Sequence, residues 1–199
     1  GITPVLGSLD DLDVLADAAR AADAVINAAS ADHAFAARAL VEALAGSGKP
    51  LIHTSGTTII ADNAYGEAGG IVYREETSFE PLPEKASRVA IDRLVCDAAN
   101  QDVRAVVLCP CLIYGNGLGV RTRSTQIPVF IEMAQTSGVP RHPGAGANIW
   151  SNVHIEDCAD AYLAALEHAP AGAFFFIEAG AETMLDVHRA VGRLLGQGE

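Results

Sequence analysis

The chain has 199 residues, of which 50% are hydrophobic and 19% are charged. This composition is typical of a folded domain with a sizeable buried core and excludes a disordered or fibrous chain. The formal net charge of -12 argues against nucleic acid and anionic membranes as partners. No apolar run reaches the ~18 residues of a membrane helix, and the first residues do not read as a signal peptide. A cytoplasmic protein is therefore expected.

In chain order, hydrophobic periodicity predicts alternating strands and helices. The predicted elements are a strand at residues 2–6, helix 9–22, strand 24–29, helix 31–46, strand 50–54, helix 84–100, strand 103–108, helix 125–135, strand 149–153, helix 156–168, strand 173–177 and helix 183–195. Ser30 is the expected N-cap of the second helix, and residues 62–83 have no clean period. Such alternation predicts right-handed crossovers and a doubly wound parallel sheet, a Rossmann-like α/β fold in a single domain.

The four cysteines, Cys96, Cys109, Cys111 and Cys158, lack the spacing of a disulfide framework. The C-x-C at 109–111 would need further ligands to hold a metal ion. His154 and Cys158 lie four residues apart and could share a helix face. We expect reduced, partly buried thiols and no metal site.

Four segments carry a family pattern. They read A-V-I-N-A-A at 24–29, H-T-S-G-T at 53–57, V-V-L-C-P-C-L-I-Y-G at 106–115 and V-H-I-E-D-C-A-D-A at 153–161. Together and in this order they resemble the extended or atypical short-chain dehydrogenase/reductase superfamily, of the NAD-dependent epimerase/dehydratase type. The third is similar to that family's R-P-x-x-x-Y-G segment, and the fourth to its V-H-V-x-D-V-A-x-A segment. In the same register, residues 2–6 correspond to the family's third strand and G-S-L-D-D at 7–11 to its G-D-L-x-D turn.

The resemblance implies a bound NAD or NADP and a small-molecule substrate. Residues up to about 120 then form the cofactor side and residues from about 121 the substrate side. The implied substrate contacts are Tyr114, Arg121 and Arg123. The implied cofactor contacts are Ser8, Leu9, Asn27, Ala28, Ala29, Thr54, Arg88, Cys109, Pro110, Cys111 and Leu112. Solvated loop charges are the alternative for the two arginines, packing in the turn is the alternative for Tyr114, and a hydrogen bond to adjacent backbone is the alternative for Asn27. Packing is the expected role of the single tryptophan, Trp150.

The chain departs from the family at its start. A complete member opens with a strand, a glycine-rich turn that cradles the pyrophosphate, a helix and a second strand. The glycines at 115, 117 and 119 do not match G-x-G-x-x-G and are expected to form a loop. We expect an N-terminally truncated Rossmann-like fold with an exposed sheet edge. NAD and NADP cannot be distinguished, because the deciding residue follows the second strand.

The family's catalytic pair is also replaced. Its Tyr-x-x-x-Lys pair falls on Glu84 and Arg88, so Arg88 could hold a ribose hydroxyl or phosphate and Glu84 could act as a base. A solvated carboxylate at a helix start is the alternative for Glu84. Ser55 and Thr57 flank the position where the family presents a hydroxyl to the reacting carbonyl, although Ser-Gly-Thr-Thr is also an ordinary turn.

Two functions are compatible with this pattern. The first is an atypical NAD(P)-dependent oxidoreductase or epimerase that acts on a carbonyl or hydroxyl compound through Ser55, Thr57, Glu84 and Arg88. The second is a non-catalytic dinucleotide-binding sensor or regulator of the same fold. Tyr65 or Tyr73 could replace the missing tyrosine in space. The resemblance also implies a homodimer formed through the helix that begins near Glu84.

Overall fold

The computed structural model describes residues 2–119 and 122–197. Its helices are α1 (Leu12–Ala21), α2 (Ala34–Leu44), α3 (Ala86–Asp97), α4 (Gln126–Ser137), α5 (Ile155–His168) and α6 (Met184–Leu195). Its strands are β1 (Val25–Asn27), β2 (Pro50–Thr54), β3 (Arg104–Pro110), β4 (Leu112–Tyr114), β5 (Ile149–His154), β6 (Ala173–Ile177) and β7 (Gly180–Thr183). Short 3-10 helices cover Thr57–Ile60, Pro83–Lys85 and Ala98–Gln101.

The main sheet has the strand order β1-β2-β3-β6, and the pairs β1–β2 and β2–β3 are parallel. His53 of β2 stands opposite Asn27 of β1 and Val107 of β3. The carboxyl ends of β1, β2 and β3 therefore meet at one edge of the sheet, where open α/β sheets bind their ligands. The prediction of a parallel, Rossmann-like α/β sheet is confirmed.

A second, three-stranded sheet has the order β4-β5-β7, with β4–β5 parallel and β5–β7 antiparallel. It was not predicted. The described residues form two compact units, and the proposed division near residue 120 stays a prediction. The first unit comprises the described parts of Gly1–Ile60, Glu75–Cys109 and Ala161–Phe176. The second comprises the described parts of Ala61–Arg74, Pro110–Asp160 and Ile177–Glu199.

The core of the first unit lies between its sheet and helices α1, α2 and α3. Leu44, Leu51, Val95 and Val107 are each at most 1% exposed and belong to one apolar cluster. The strands contribute nearly continuous apolar runs to this core, as expected when a parallel sheet is covered on its faces.

Ile91 of α3 lies in this cluster and is 4% exposed. The Ile91→Val variant loses one methylene group from the core, and we expect its free energy of unfolding to fall by about 1 kcal/mol in urea denaturation. The same change at Ile71, which is 65% exposed, is the matched control and should alter stability by less than about 0.5 kcal/mol. Equal losses at the two positions would contradict the packing described.

Residues 2–6 do not form the predicted strand. Ile2 and Leu6 are 96% and 92% exposed, and these residues have no regular secondary structure. The described four-stranded sheet ends at β1, and residues 2–6 pair with none of its strands. An extended segment without a neighbouring strand has no ladder of hydrogen bonds to join.

Several predicted boundaries were also wrong, and three of them lie near the strand ends described below. Ser30 is not the N-cap of α2, because its hydroxyl accepts from the Asp32 N–H, and Nδ1 of His33 caps the helix by accepting from the Ala36 N–H at 3.1 Å. The helix predicted from Glu84 begins at Ala86, after the 3-10 turn. Finally, β3 does not end before Cys109 but continues through Pro110, since proline is tolerated where no ladder donor is needed.

Candidate functional site

Four buried polar residues of the first unit form a cluster, which we call the buried cluster: Asn27, His53, Ser55 and Asp92. The Asn27 Nδ2 atom lies 3.0 Å from Nδ1 of His53. The Ser55 hydroxyl donates to Oδ2 of Asp92 at 2.7 Å. Nε2 of His53 lies 3.8 Å from Oδ1 of Asp92. Three side chains at or after the ends of β1 and β2 thus lie in one cluster with a carboxylate on α3.

The fold explains why these residues meet. Asn27 and His53 are paired by the parallel register of β1 and β2, and Ser55 directly follows β2. Val89, Asp92 and Val95 recur at three-residue spacing on the buried side of α3, so the carboxylate lies on the face that packs inward. Each residue is at most 6% exposed, and the sequence places a carboxylate and an imidazole in a largely apolar interior.

Burial sets the charges of this cluster. It raises the pKa of Asp92 to about 6, although the Ser55 hydrogen bond and the nearby Arg88 charge act in the opposite direction. Burial, and to a smaller extent the Arg88 charge, lower the pKa of His53 to about 4. At neutral pH the histidine is therefore neutral and the aspartate largely ionised. Buried groups with shifted pKa values at a strand end are candidates for a functional site.

Arg88, the residue at the family's lysine position, lies on α3 one turn before Asp92. Its Nε and Nη2 atoms donate to the two carboxylate oxygens of Asp32 at 2.8 and 2.5 Å, and Nη1 donates to the Thr58 hydroxyl at 2.9 Å. The two-point hydrogen bond with Asp32 raises the pKa of Arg88 and lowers that of Asp32. The guanidinium is thus fixed beside the turn that follows β2.

Other predicted site residues lie at the carboxyl ends of β1 and β2 or in the turn after β2. Thr57 is half-buried and opens the 3-10 helix Thr57–Ile60. The Thr54 hydroxyl forms a 2.8 Å hydrogen bond with the Tyr162 hydroxyl. Ala28 and Ala29 are exposed after β1, so their backbone is open to a ligand.

Ser8 and Glu84, two further predicted site residues, lie outside this turn. Ser8 is exposed, its N–H donates to the Asp11 carboxylate at 2.6 Å, and it forms the turn before α1, with the half-buried Leu9 beside it. Glu84, at the family's tyrosine position, is exposed in the 3-10 turn Pro83–Lys85. An exposed carboxylate matches the solvated alternative for Glu84 and supplies no phenol.

The predicted cofactor segment at 109–112 is buried. Cys109 and Pro110 end β3, while Cys111 and Leu112 belong to the second unit. The Cys111 thiol donates to the Ile177 carbonyl at 3.1 Å, and burial raises its pKa to about 11. A thiolate is therefore disfavoured at this position.

A cavity of about 800 Å³ lies within the second unit. Tyr114 and Arg123, both predicted substrate contacts, line it together with Trp150, which had been expected to pack. Glu132 supplies a carboxylate and Arg123 the positive charge among the described lining residues. The carboxamides that also line it are Asn116, Gln135 and Asn152. Arg121 lies outside the described residues.

Gly115 forms part of the wall of this cavity and has a φ of +98°. A Cβ atom there would lie 2.3 Å from Nε2 of His154. We expect Gly115→Ala to displace that ring and to lower the free energy of unfolding by roughly 1–3 kcal/mol, measured by thermal denaturation. Gly119→Ala is the control, because a Cβ there meets no atom within 4 Å. A melting temperature unchanged in both variants would contradict this geometry.

Within the described ranges, none of the helices is both long and apolar enough to span a bilayer. Among the same residues, no three His, Cys, Asp or Glu side chains are grouped so that they could hold a metal ion.

Sequence reasoning singled out Asn27, Ser55 and Arg88 but missed His53, Asp92 and Asp32. A signal existed for two of them. His53 directly follows the apolar residues Leu51 and Ile52 in β2. Asp92 takes a position between Val89 and Val95 where the spacing of buried residues on α3 predicts an apolar side chain. Asp32 gave no signal, because its partner is 56 residues away in the chain.

Comparison with known proteins agrees with this architecture. The model of the NAD dependent epimerase/dehydratase family matches residues 3–176. Oxidase ucsJ of Acremonium sp is 30% identical over 217 residues, which cover 93% of this chain and 62% of that protein. An uncharacterised protein of Schizosaccharomyces pombe is 31% identical over 188 residues, covering 88% and 59%. The chain thus spans less than two thirds of the length of these relatives.

Solved structures share the fold. A dTDP-glucose 4,6-dehydratase from Bacillus anthracis in complex with NAD superimposes with a TM-score of 0.77 at 20% identity, covering 98% of this chain and 64% of that one. A UDP-glucose 4-epimerase from Thermotoga maritima with UDP-glucose gives a TM-score of 0.74 at 15% identity, covering 97% and 68%.

Proposed function

The chain belongs to the NAD dependent epimerase/dehydratase family, and from this membership we propose that the protein is an NAD(P)-dependent oxidoreductase or epimerase that acts on a carbonyl or hydroxyl compound. The observation that carries the proposal is the position of Ser55 and Arg88. Both lie beside the carboxyl end of β2, next to a buried carboxylate with a raised pKa. Reduction of a carbonyl needs a hydroxyl that binds the reacting oxygen, a positive charge that stabilises it and a group that supplies a proton, and these three residues provide such groups.

The residues present fit the nicotinamide-ribose part of a dinucleotide. Among the described residues, Asp32 and Thr58 accept three of the five N–H groups of the Arg88 guanidinium. The other two could donate to a ribose hydroxyl. The exposed backbone at Ala28 and Ala29 would allow a flat group to approach closely. When bound, the nicotinamide supplies or accepts a hydride. Ser55 would orient the reacting oxygen.

The cavity of the second unit supports a small, polar substrate. Arg123 would pair with an anionic group, and the rings of Tyr114 and Trp150 offer flat apolar surface. UDP-glucuronic acid and UDP-glucose, which are bound in two solved structures of this fold, each combine anionic phosphates with ring systems. We propose an anionic, ring-containing substrate and leave NAD and NADP as equal candidates for the cofactor.

A second function, a non-catalytic dinucleotide-binding sensor or regulator, is favoured by one observation. The family's tyrosine and lysine are replaced together by Glu84 and Arg88, and Glu84 is exposed. Loss of both catalytic groups is what a protein that only binds the dinucleotide would tolerate.

Hydride transfer distinguishes the two functions. NADH or NADPH is incubated with the chain and a panel of aldehydes, ketones and nucleotide sugars, and nucleotide oxidation and sugar epimerisation are followed. The enzyme predicts turnover that Ser55→Ala abolishes and that Asp97→Asn, an exposed position at the end of α3, leaves unchanged. Nucleotide binding without turnover on every class of substrate would favour the sensor.

A further inference from the structure

Two buried polar atoms face each other in the first unit, and neither has a hydrogen-bond partner within the described part of the chain. They are Nε2 of His53 and Oδ1 of Asp92, 3.8 Å apart. Unsatisfied buried polar atoms are rare, and each one calls for an explanation, of which a catalytic role is one. Here both belong to groups that can gain or lose a proton.

The hydrogen bonds around this pair determine where its protons lie. The amide nitrogen of Asn27 can only donate, so Nδ1 of His53 accepts and the proton of the neutral ring is on Nε2. The nitrogen that carries this proton lies 3.8 Å from Oδ1 of Asp92. The other oxygen, Oδ2, accepts from the Ser55 hydroxyl at 2.7 Å. The aspartate is thus connected to the turn after β2 through a single hydroxyl.

The charged and titratable groups around Asp92 lie on each element that packs against it. Arg88 and Cys96 share α3, His53 belongs to β2, and Asp32 precedes α2. Arg88 stays protonated, since its hydrogen bonds with Asp32 raise its pKa. Burial, and then the charge of Asp92, raise the pKa of Cys96 to about 11, and burial lowers that of His53 to about 4. Of these groups, only Asp92 titrates close to neutrality.

We propose that Asp92 is the proton store of this site and exchanges its proton with an oxygen of the bound substrate through the Ser55 hydroxyl. The inference rests on the proposed function and supplies the proton donor that the exposed Glu84 does not. In it, Ser55 is a catalytic residue and Asp92 acts through it as a positioning residue.

The transfer is balanced without any other reactant. The O–H bond of Ser55 breaks as its proton passes to a negatively charged substrate oxygen, and the O–H bond of Asp92 breaks as its proton passes to Oγ of Ser55. A substrate hydroxyl and an Asp92 carboxylate result, and Ser55 ends neutral, as it began. The neutral Nε2–H of His53 lies 3.8 Å from Oδ1, where a small approach would let it donate to the new carboxylate. The reverse direction removes a proton from a substrate hydroxyl.

Infrared titration of the whole chain without any nucleotide tests the proton store. The C=O band of a protonated carboxyl group is followed on both sides of pH 6. We expect a band with its midpoint near pH 6 that is absent in Asp92→Asn and retained in Asp97→Asn. In Ser55→Ala the midpoint should rise, because the hydroxyl hydrogen bond favours the carboxylate, and Ser55→Thr should restore it. A band unaffected by Asp92→Asn, or a midpoint unaffected by Ser55→Ala, would overturn the proposal.

Turnover gives the second test. With a carbonyl compound that the wild-type chain reduces, Asp92→Asn should lower kcat by about 100-fold or more, the loss typical of a removed acid or base. It should also remove the pH dependence of kcat near pH 6 while KM changes little. A purely structural role would instead change melting temperature and KM and leave the pH profile in place, which would overturn the proposal. Failure to bind NADH and NADPH would overturn the proposed function, and the infrared result would remain independent of it.

Discussion

The Asp92→Asn variant is expected to become more stable as the pH is raised from about 4 to 6.5, by roughly 3 kcal/mol in the free energy of unfolding. The reason is His53, whose pKa is lowered from 6.5 to about 4 by burial. In this range the unfolded chain binds a proton that the folded chain does not. The free energy of unfolding is therefore highest above pH 6.5, falls as the pH is lowered from 6.5 to about 4, and changes little below that.

The His53→Gln variant should show the opposite dependence. Burial raises the pKa of Asp92 from 3.8 to about 6, so the folded chain binds a proton that the unfolded chain does not. The protonated Asp92 therefore contributes roughly 3 kcal/mol to the free energy of unfolding below pH 3.8, and this contribution is lost as the pH rises from 3.8 to about 6. Glutamine can still accept from Asn27, which limits other effects. In the wild-type chain the two dependences largely offset each other.

Urea denaturation at a series of pH values measures both variants. The control is Asp97→Asn, which removes an exposed carboxylate from the same helix and should leave the wild-type pH profile unchanged. If both cluster variants followed the wild-type profile in parallel, His53 and Asp92 would not titrate as their burial requires.

Arg88→Ala is expected to weaken NADH or NADPH binding by about 10- to 100-fold, the value of one to two hydrogen bonds from a charged donor. The guanidinium is fixed beside the turn after β2 by Asp32 and Thr58, and we propose that it holds the ribose. Arg88→Lys restores the residue type of the family. It should recover most of the affinity while losing the two-point contact with Asp32.

Fluorescence titration with each nucleotide measures this effect. Arg93→Ala is the matched control, because Arg93 is an exposed arginine on the same helix. Equal losses in Arg88→Ala and Arg93→Ala would indicate a general effect of net charge and would remove Arg88 from the cofactor site.

The elements that the sequence predicted best are those whose signal is local. The β2 strand was predicted with its observed ends, since Leu51 and Ile52 form an apolar run that leads into a Gly-containing turn. The polar strand β7, Gly180–Thr183, has no such signal, and it exists because it pairs with β5. The apolar residues 2–6 had the signal but have no neighbouring strand in the described sheet.

The site residues also divide into those with a local sequence signal and those whose contacts are distant in the chain. Asn27 was predicted through the family resemblance, and Ser55 because it follows a strand whose carboxyl end lies at the binding edge of a parallel sheet. The contact of Ser55 with Asp92 joins residues 37 positions apart, and no local pattern specifies it. The roles proposed for the cofactor, substrate and catalytic residues stay predictions.

Calorimetric titration of NADH and NADPH into the chain tests dinucleotide binding most directly. We predict saturable binding of at least one nucleotide with a Kd in the micromolar range, equivalent to about -8 kcal/mol, that Arg88→Ala weakens and Arg93→Ala does not. A folded chain that binds neither nucleotide, or that binds one equally well without Arg88, would contradict the cofactor site proposed at the carboxyl end of β2.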